Sequence, residues 1–253
     1  MDALADLWSF LTTADNWWGT RGIVNRTWEH VRISVLAVLL ATAIALPPAV
    51  LLGHVKRFGA VAVTIVNIGR AIPSFAILAL TFPLFIEWGF GLGFWPTFTA
   101  LVVLGIPPIF TNTYTGVRGV SPEIVEAADG VGMRPHEVVL RVELPSAAPL
   151  VITGLRISAV QIVATATLGA LVGFQALGSF IVEGLAQFDE GKILGGALLV
   201  AVLAIATEVG FSAAERALTP WARRGPAATT ASTRRSRRGA RSGASPAVGA
   251  TPS

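Results

Sequence analysis

The 253-residue sequence contains no cysteine, which excludes disulfides and thiolate metal ligands. Its three histidines, His30, His54 and His136, are scattered and form no metal-ligand spacing. No G-x-x-x-x-G-K-[ST] loop occurs; Gly191-Lys192 lacks both the upstream glycine and the following hydroxyl, so no nucleotide site is expected. Neither a metal site nor a catalytic constellation is visible, and the reading is of a chain that is not an enzyme. Charge is also scarce, at 13%, about half of the ~25% usual in a soluble domain. Acid is missing altogether after Pro220, where seven arginines (Arg223, Arg224, Arg234, Arg235, Arg237, Arg238 and Arg241) stand among Ala, Ser, Thr, Gly and Pro. A segment so poor in large apolar groups cannot offset its ordering entropy, so residues 217–253 are expected to be a disordered, Arg-rich tail. Without these seven the chain carries 12 basic against 15 acidic groups, so the basic character belongs to the tail.

What the sequence does have is apolar residues, 53% of the total with a mean hydropathy of +0.67. A helix crossing ~30 Å of hydrocarbon needs about 20 mostly apolar residues, and five stretches qualify: 31–53, 58–86, 96–113, 146–174 and 194–214. The second and fourth exceed ~40 Å at the helical rise, so each should tilt, kink or split, and splitting one would give six helices. Gly69-Arg70 and Pro73 interrupt the second. Lys56 and Arg57 lie between the first two stretches, and Arg118, Arg134 and Arg141 between the third and fourth. The loops around 87–95 and 183–193 carry only Lys192. The positive-inside rule then places the N-terminus outside and the C-terminus in the cytoplasm, with five membrane crossings. The expected organisation is an extracytoplasmic segment 1–29, a membrane domain 30–216 and the tail 217–253. Leu4, Leu7, Trp8 and Leu11 form an i, i+3, i+4, i+7 stripe, which predicts a short interfacial amphipathic helix.

The cytoplasmic loop 114–145 is polar but patterned. Pro122 can open a helix, Glu123 and Glu126 suit its dipole, and Val125, Ala128 and Val131 fall on one side. Ala127 and Ala128 are small enough for close approach, Gly132 can end the helix, and Pro135 stops its continuation. Leu144-Pro145 starts the next membrane helix. Helix physics alone is satisfied by an ordinary amphipathic loop. The order Glu126-Ala127-Ala128, three residues, Gly132, nine residues, Val142-Glu143-Leu144-Pro145 resembles the EAA loop of ABC importer permeases. Other segments resemble permeases for osmoprotectant quaternary amines: Arg70-Ala-Ile-Pro-Ser-Phe-Ala-Ile-Leu ("TIPSLALL"), Asn112-Thr113-Tyr114-Thr115-Gly116 ("RNTYTGI"), Gly154-Leu-Arg-Ile ("GIRT") and residues 165–173 ("TATLAALIG"). Two departures stand out: Arg70 replaces a neutral polar residue, and Phe174-Gln175 replaces a small Gly-containing pair.

The resemblance implies an all-α membrane protein with the type I ABC importer permease fold. It implies a coupling surface at Glu126, Ala127, Ala128, Gly132, Leu144 and Pro145 for two ATPase subunits, which bind the ATP-Mg that this chain does not. The other implied partners are a second permease subunit, identical or homologous, an extracytoplasmic substrate-binding protein and the lipid bilayer; nucleic acid is not among them. The implied cargo is glycine betaine, proline betaine, carnitine or choline. The alternatives are a permease for an amino acid or oxyanion, or a membrane sensor or channel outside the ABC class.

Ionisable groups within spans are costly and are functional candidates by default. Arg156, eleven residues into the fourth stretch, has Glu208 as its obvious partner; a structural pair is favoured over a substrate contact. The polar residues suited to lining a path are Asn67, Arg70, Ser74, Gln161, Thr165 and Thr167. Arg70 could gate a cationic cargo or tie backbone carbonyls, and the two threonines could equally satisfy their own helix. Quaternary ammonium ions favour aromatic cages, but all seven tryptophans fall outside or at the edges of the spans. They are read as interfacial anchors, with any cage expected on the binding protein.

Overall fold

A computed structural model describes residues 3–56 and 59–220. Among these there is no strand. The described residues up to Glu215 form one compact unit. Trp221 and the arginine-rich stretch lie outside the described residues.

Helix α1 (Ala3–Thr12) leads through a short turn into the long α2 (Ile23–Val55). The stretch read as one interrupted span is two helices, α3 (Gly59–Ala71) and α4 (Ser74–Glu87). The chain breaks at Ile72-Pro73 because proline has no N–H to donate and disfavours a helical residue before it. α5 (Phe94–Arg118) follows, then the short α6 (Pro122–Gly130) and α7 (Pro135–Val138). A wide, π-type turn at Val139–Glu143 joins α7 to α8 (Leu144–Thr165), which tightens into a 3-10 stretch at Ala166–Val172. α9 (Gly178–Gln187) and α10 (Glu190–Leu218) complete the described chain. Four of these helical runs are long and apolar enough to cross a membrane: Ile23–Val55, Phe94–Arg118, Pro135–Val172 and Glu190–Leu218. Ser74–Glu87 is apolar but shorter.

The helices differ from the hydropathy windows at their ends, where polar residues continue a helix that hydrophobicity cannot see. α2 begins eight residues before the window and carries Arg26 and His30 as buried residues. The run holding the fourth window begins at Pro135. That proline occupies a first-turn position, so it starts a helix as well as preventing α6 from continuing.

α5 sits at the centre, packed lengthwise against α2 on one side and α8 on the other. α2 turns a row of small residues toward this core: Ala37, Ala41, Ala45, Ala49 and Gly53, at steps of four below Ile33. Such a row lets helix backbones approach closely. Gly105 on α5 shows how closely: a Cβ there would lie 2.8 Å from Ile162 Cδ1, 2.9 Å from Ser158 Oγ and 3.0 Å from Ala41 Cβ. At the opposite margin, Phe10 of α1 packs its ring against Gly195 and edge-to-face with Phe180, centroids 5.4 Å apart. Leu4 and Trp8 stay exposed, so α1 docks through Phe10 while part of its apolar stripe remains free.

Candidate functional site

Pro122 opens α6 after Ser121, whose carbonyl accepts the N–H groups of Ile124 and Val125. The far end closes with a complete left-handed cap. Gly132 takes φ +82°, its N–H donates to the Asp129 carbonyl (2.9 Å), and the Met133 N–H donates to the Ala128 carbonyl (3.2 Å). This pair of bonds satisfies carbonyls that a helix end otherwise leaves open. Ala128 alone of α6 is buried. Glu126 and Ala127 are exposed, as are Ile124 (50%) and Val131 (79%). Val131 was grouped with Val125 and Ala128 by helical spacing, but it lies past the last helical turn and points away from them. α6 thus rests on α7 and the wide turn through Ala128 and presents Ile124, Ala127 and Val131 outward.

The remaining loop residues anchor this surface. Glu137 accepts the Arg134 N–H at 2.9 Å and faces Arg141 at 3.7 Å, which fixes the start of α7. Leu144 packs into a cluster with Val117, Ala147 and Val151 at the base of α5 and α8, and Pro145 occupies a first-turn position of α8. Sequence spacing did not single out the adjacent Glu143, which is fully buried with Oε2 2.7 Å from His54 Nδ1 on α2. The two are 89 residues apart, so no local pattern connects them.

The residues suggested for a path fall on the two helices that break. Ser74 starts α4 immediately after Pro73. Gln161 and Thr165 are half-buried on α8, and Thr165 is its last residue. Thr167 lies in the 3-10 stretch, where its hydroxyl donates to the Ala164 carbonyl at 2.8 Å. The 3-10 stretch packs on α4 through Leu168, Val172 and Leu78. The structure therefore brings the elements carrying Ser74 and Thr167 together. Asn67 and Arg70 belong to α3, but their side chains lie outside the described residues.

Arg156 makes a three-way link from α8 to α10. Its Nε is 3.6 Å from Glu208 Oε1, and its Nη1 lies 3.2 Å from Ser212 Oγ and 3.4 Å from Glu215 Oε2. Glu215 joins the expected Glu208 as a partner of Arg156, the two carboxylates lying on one helix seven residues apart. Another arginine, Arg26, is fully buried; it reaches Glu183 through two bonds (2.6 and 3.1 Å) and Gln175 Oε1 at 3.3 Å, and stacks 4.3 Å from the Phe180 ring. Gln175 is one half of the departure from the family pattern. The other half, Phe174, is buried against Phe94, with centroids 6.2 Å apart. Both substitutions thus have partners in this chain. Six tryptophans remain partly or largely exposed, Trp8, Trp17, Trp18, Trp28, Trp88 and Trp95. No cluster of His, Asp and Glu able to hold a metal occurs among the described residues.

Residues 34–224 match the family described as binding-protein-dependent transport system inner membrane component. The chain is 40% identical over 198 residues to the choline transport system permease protein OpuBB of Bacillus subtilis (strain 168), covering 78% of this chain and 89% of that one. It is 37% identical over 195 residues to the carnitine transport permease protein OpuCB of Listeria monocytogenes, covering 77% and 87%. Among solved structures, an inward-facing MetNI methionine ABC transporter superposes with a TM-score of 0.70 over 78% of this chain and 96% of that one, at 22% identity, a likeness of fold.

Proposed function

The chain belongs to the binding-protein-dependent transport system inner membrane components, and we propose that it forms one half of the path of an ATP-driven importer for osmoprotectant quaternary amines. It is an integral membrane permease with the all-α type I ABC importer fold. The cargo class rests on the relatives named for choline and carnitine transport, which extend over most of both chains.

In this reading α2, the α3–α4 pair, α5, α8 with its 3-10 extension, and α10 make five crossings, with the N-terminus outside and the C-terminus in the cytoplasm. A second permease copy or homologue completes the path, which Ser74, Gln161, Thr165 and Thr167 line together with Asn67 and Arg70. The observation that carries the coupling role is α6 itself. It is a capped helix held by one buried alanine, with Glu126, Ala127, Ile124 and Val131 left exposed for an ATPase subunit. ATP, with Mg, binds to that partner, and an extracytoplasmic binding protein delivers cargo. ATP binds the closed ATPase pair better than the open one. This difference in affinity drives the coupling helices together and turns the path from outward- to inward-facing. The Arg156–Glu208 pair holds α10 to α8 during this movement.

The test is reconstitution of the permease with its ATPase and binding protein in liposomes loaded with ATP. Radiolabelled glycine betaine, choline and carnitine should accumulate, and the binding protein should stimulate ATP hydrolysis. Uptake of amino acids or oxyanions instead would overturn the cargo class. Flux in the absence of the ATPase would make the chain a channel.

A further inference from the structure

The wide turn at Val139–Glu143 sits directly between α7 and α8, where the Leu144 N–H donates to the Val139 carbonyl five residues back. Its effect is visible in what is buried. Counting up α8, the packed face holds Glu143, Ala147, Val151, Gly154 and Ser158, at steps of three or four. Below Glu143 an uninterrupted α-helix would continue that face at Leu140 or Val139. Instead the buried residue is Val138, five positions away, and Leu140 is left 60% exposed. The extra residue therefore rotates α7, and α6 resting on it, relative to α8. A π-type turn is rare and recurs at functional sites.

A buried polar contact ties this turn to α2. Glu143 is fully buried, and its Oε2 lies 2.7 Å from His54 Nδ1, one residue before the end of α2. Its Oε1 is buried without a hydrogen-bond partner. Stability gives no reason for this arrangement, because apolar residues of similar shape often replace both partners of a buried polar pair without loss. What the pair does supply is a directional tie, since a hydrogen bond to a carboxylate fixes both distance and angle. It fastens the only turn between the coupling segment and α8 to a different membrane helix, α2.

We propose that His54 and Glu143 are positioning residues that lock the register of the coupling segment against α2, so that displacement of α6 moves α2 and α8 as one body. The proposal rests on α6 being the ATPase-docking helix, and the test separates the two. Whole importers are prepared with wild-type permease, with Glu143→Gln, with Glu143→Leu and with the double variant His54→Leu/Glu143→Leu. Three quantities are read: co-purification of the ATPase, basal ATP hydrolysis, and cargo moved per ATP in proteoliposomes. The double variant has no unpaired buried charge, so it should fold, retain the ATPase and hydrolyse ATP at the basal rate. Cargo moved per ATP should fall about tenfold, the least that loss of a hydrogen bond to a charged group costs in an equilibrium. Glu143→Gln, which keeps a hydrogen-bonding group at the same place, should retain more coupling than Glu143→Leu. Wild-type coupling in the double variant would overturn the proposal, because the pair would then only fill space. Loss of the ATPase from the double variant alone would also overturn it, since the pair would then shape the docking surface. Failure of the ATPase to bind the wild-type chain would overturn the docking role of α6 instead.

Discussion

Gly132→Ala should weaken the hold of the ATPase on this permease through backbone conformation alone. Gly132 has φ +82°, and nothing lies within 4 Å of a Cβ built on it. The substitution therefore adds no clash within the permease. It asks alanine to occupy the left-handed region, at a cost of about 1–2 kcal/mol. That conformation is what lets Gly132 and Met133 donate to the Asp129 and Ala128 carbonyls. α6 has only nine residues, and a helix so short has little stability of its own to absorb the loss. If docking requires the capped helix, the apparent dissociation constant rises as the capped fraction falls, by up to about 5- to 30-fold for that cost. Titration of purified ATPase onto the permease in nanodiscs measures this directly. Gly132→Asn is the control, because asparagine enters the left-handed region more readily, and it should fall between wild type and alanine. Equal losses for alanine and asparagine would refute conformational control and point to a side chain striking the partner. No loss in either would show that the cap is irrelevant to docking.

Two further outcomes follow from packing and charge. Gly105→Val should destabilise the purified permease by about 1–3 kcal/mol, the usual cost of overfilling a packed core. A thermal melt should show partial recovery with Ile162→Val, which removes the Cδ1 atom 2.8 Å from the new Cβ. Arg156→Gln should cost about 1.5–3 kcal/mol by removing bonds to Ser212 and Glu215 as well as the contact with Glu208. Glu208→Gln should cost under ~1 kcal/mol, because its half-exposed carboxylate is one of two acidic partners of Arg156. Equal melting points for the two variants would contradict the three-way link.

The membrane class and the capped helix α6 were readable from the chain because each is written locally. Hydropathy over 20 residues reports burial in lipid, and Pro122, Ala128 and Gly132 mark a helix start, a contact and a stop within eleven positions. Arg156 could be assigned Glu208 because charges within apolar stretches are few. The Arg26–Glu183 and His54–Glu143 pairs could not be found this way. Their members lie 157 and 89 residues apart, and nothing in the local pattern around either residue points to the other. The wide turn was hidden for a different reason. Val138 to Ser158 reads as a passable α-helical pattern, and one inserted residue changes only which side chain faces inward.

By itself, the sequence determined the solvent in which this protein folds, the order of its apolar helices and the position of the capped segment between two of them. These follow from short-range physics: transfer of side chains out of water, the donors that proline lacks, and the backbone freedom of glycine. Only the tertiary structure decided which helices α5 packs between, which acids answer Arg26 and Arg156, and that the wide turn after α7 contacts α2 through His54 and Glu143. Such pairings depend on rotation about helix axes. A rotation of one residue's width carries a side chain from lipid to core, and packing in three dimensions chooses among those rotations.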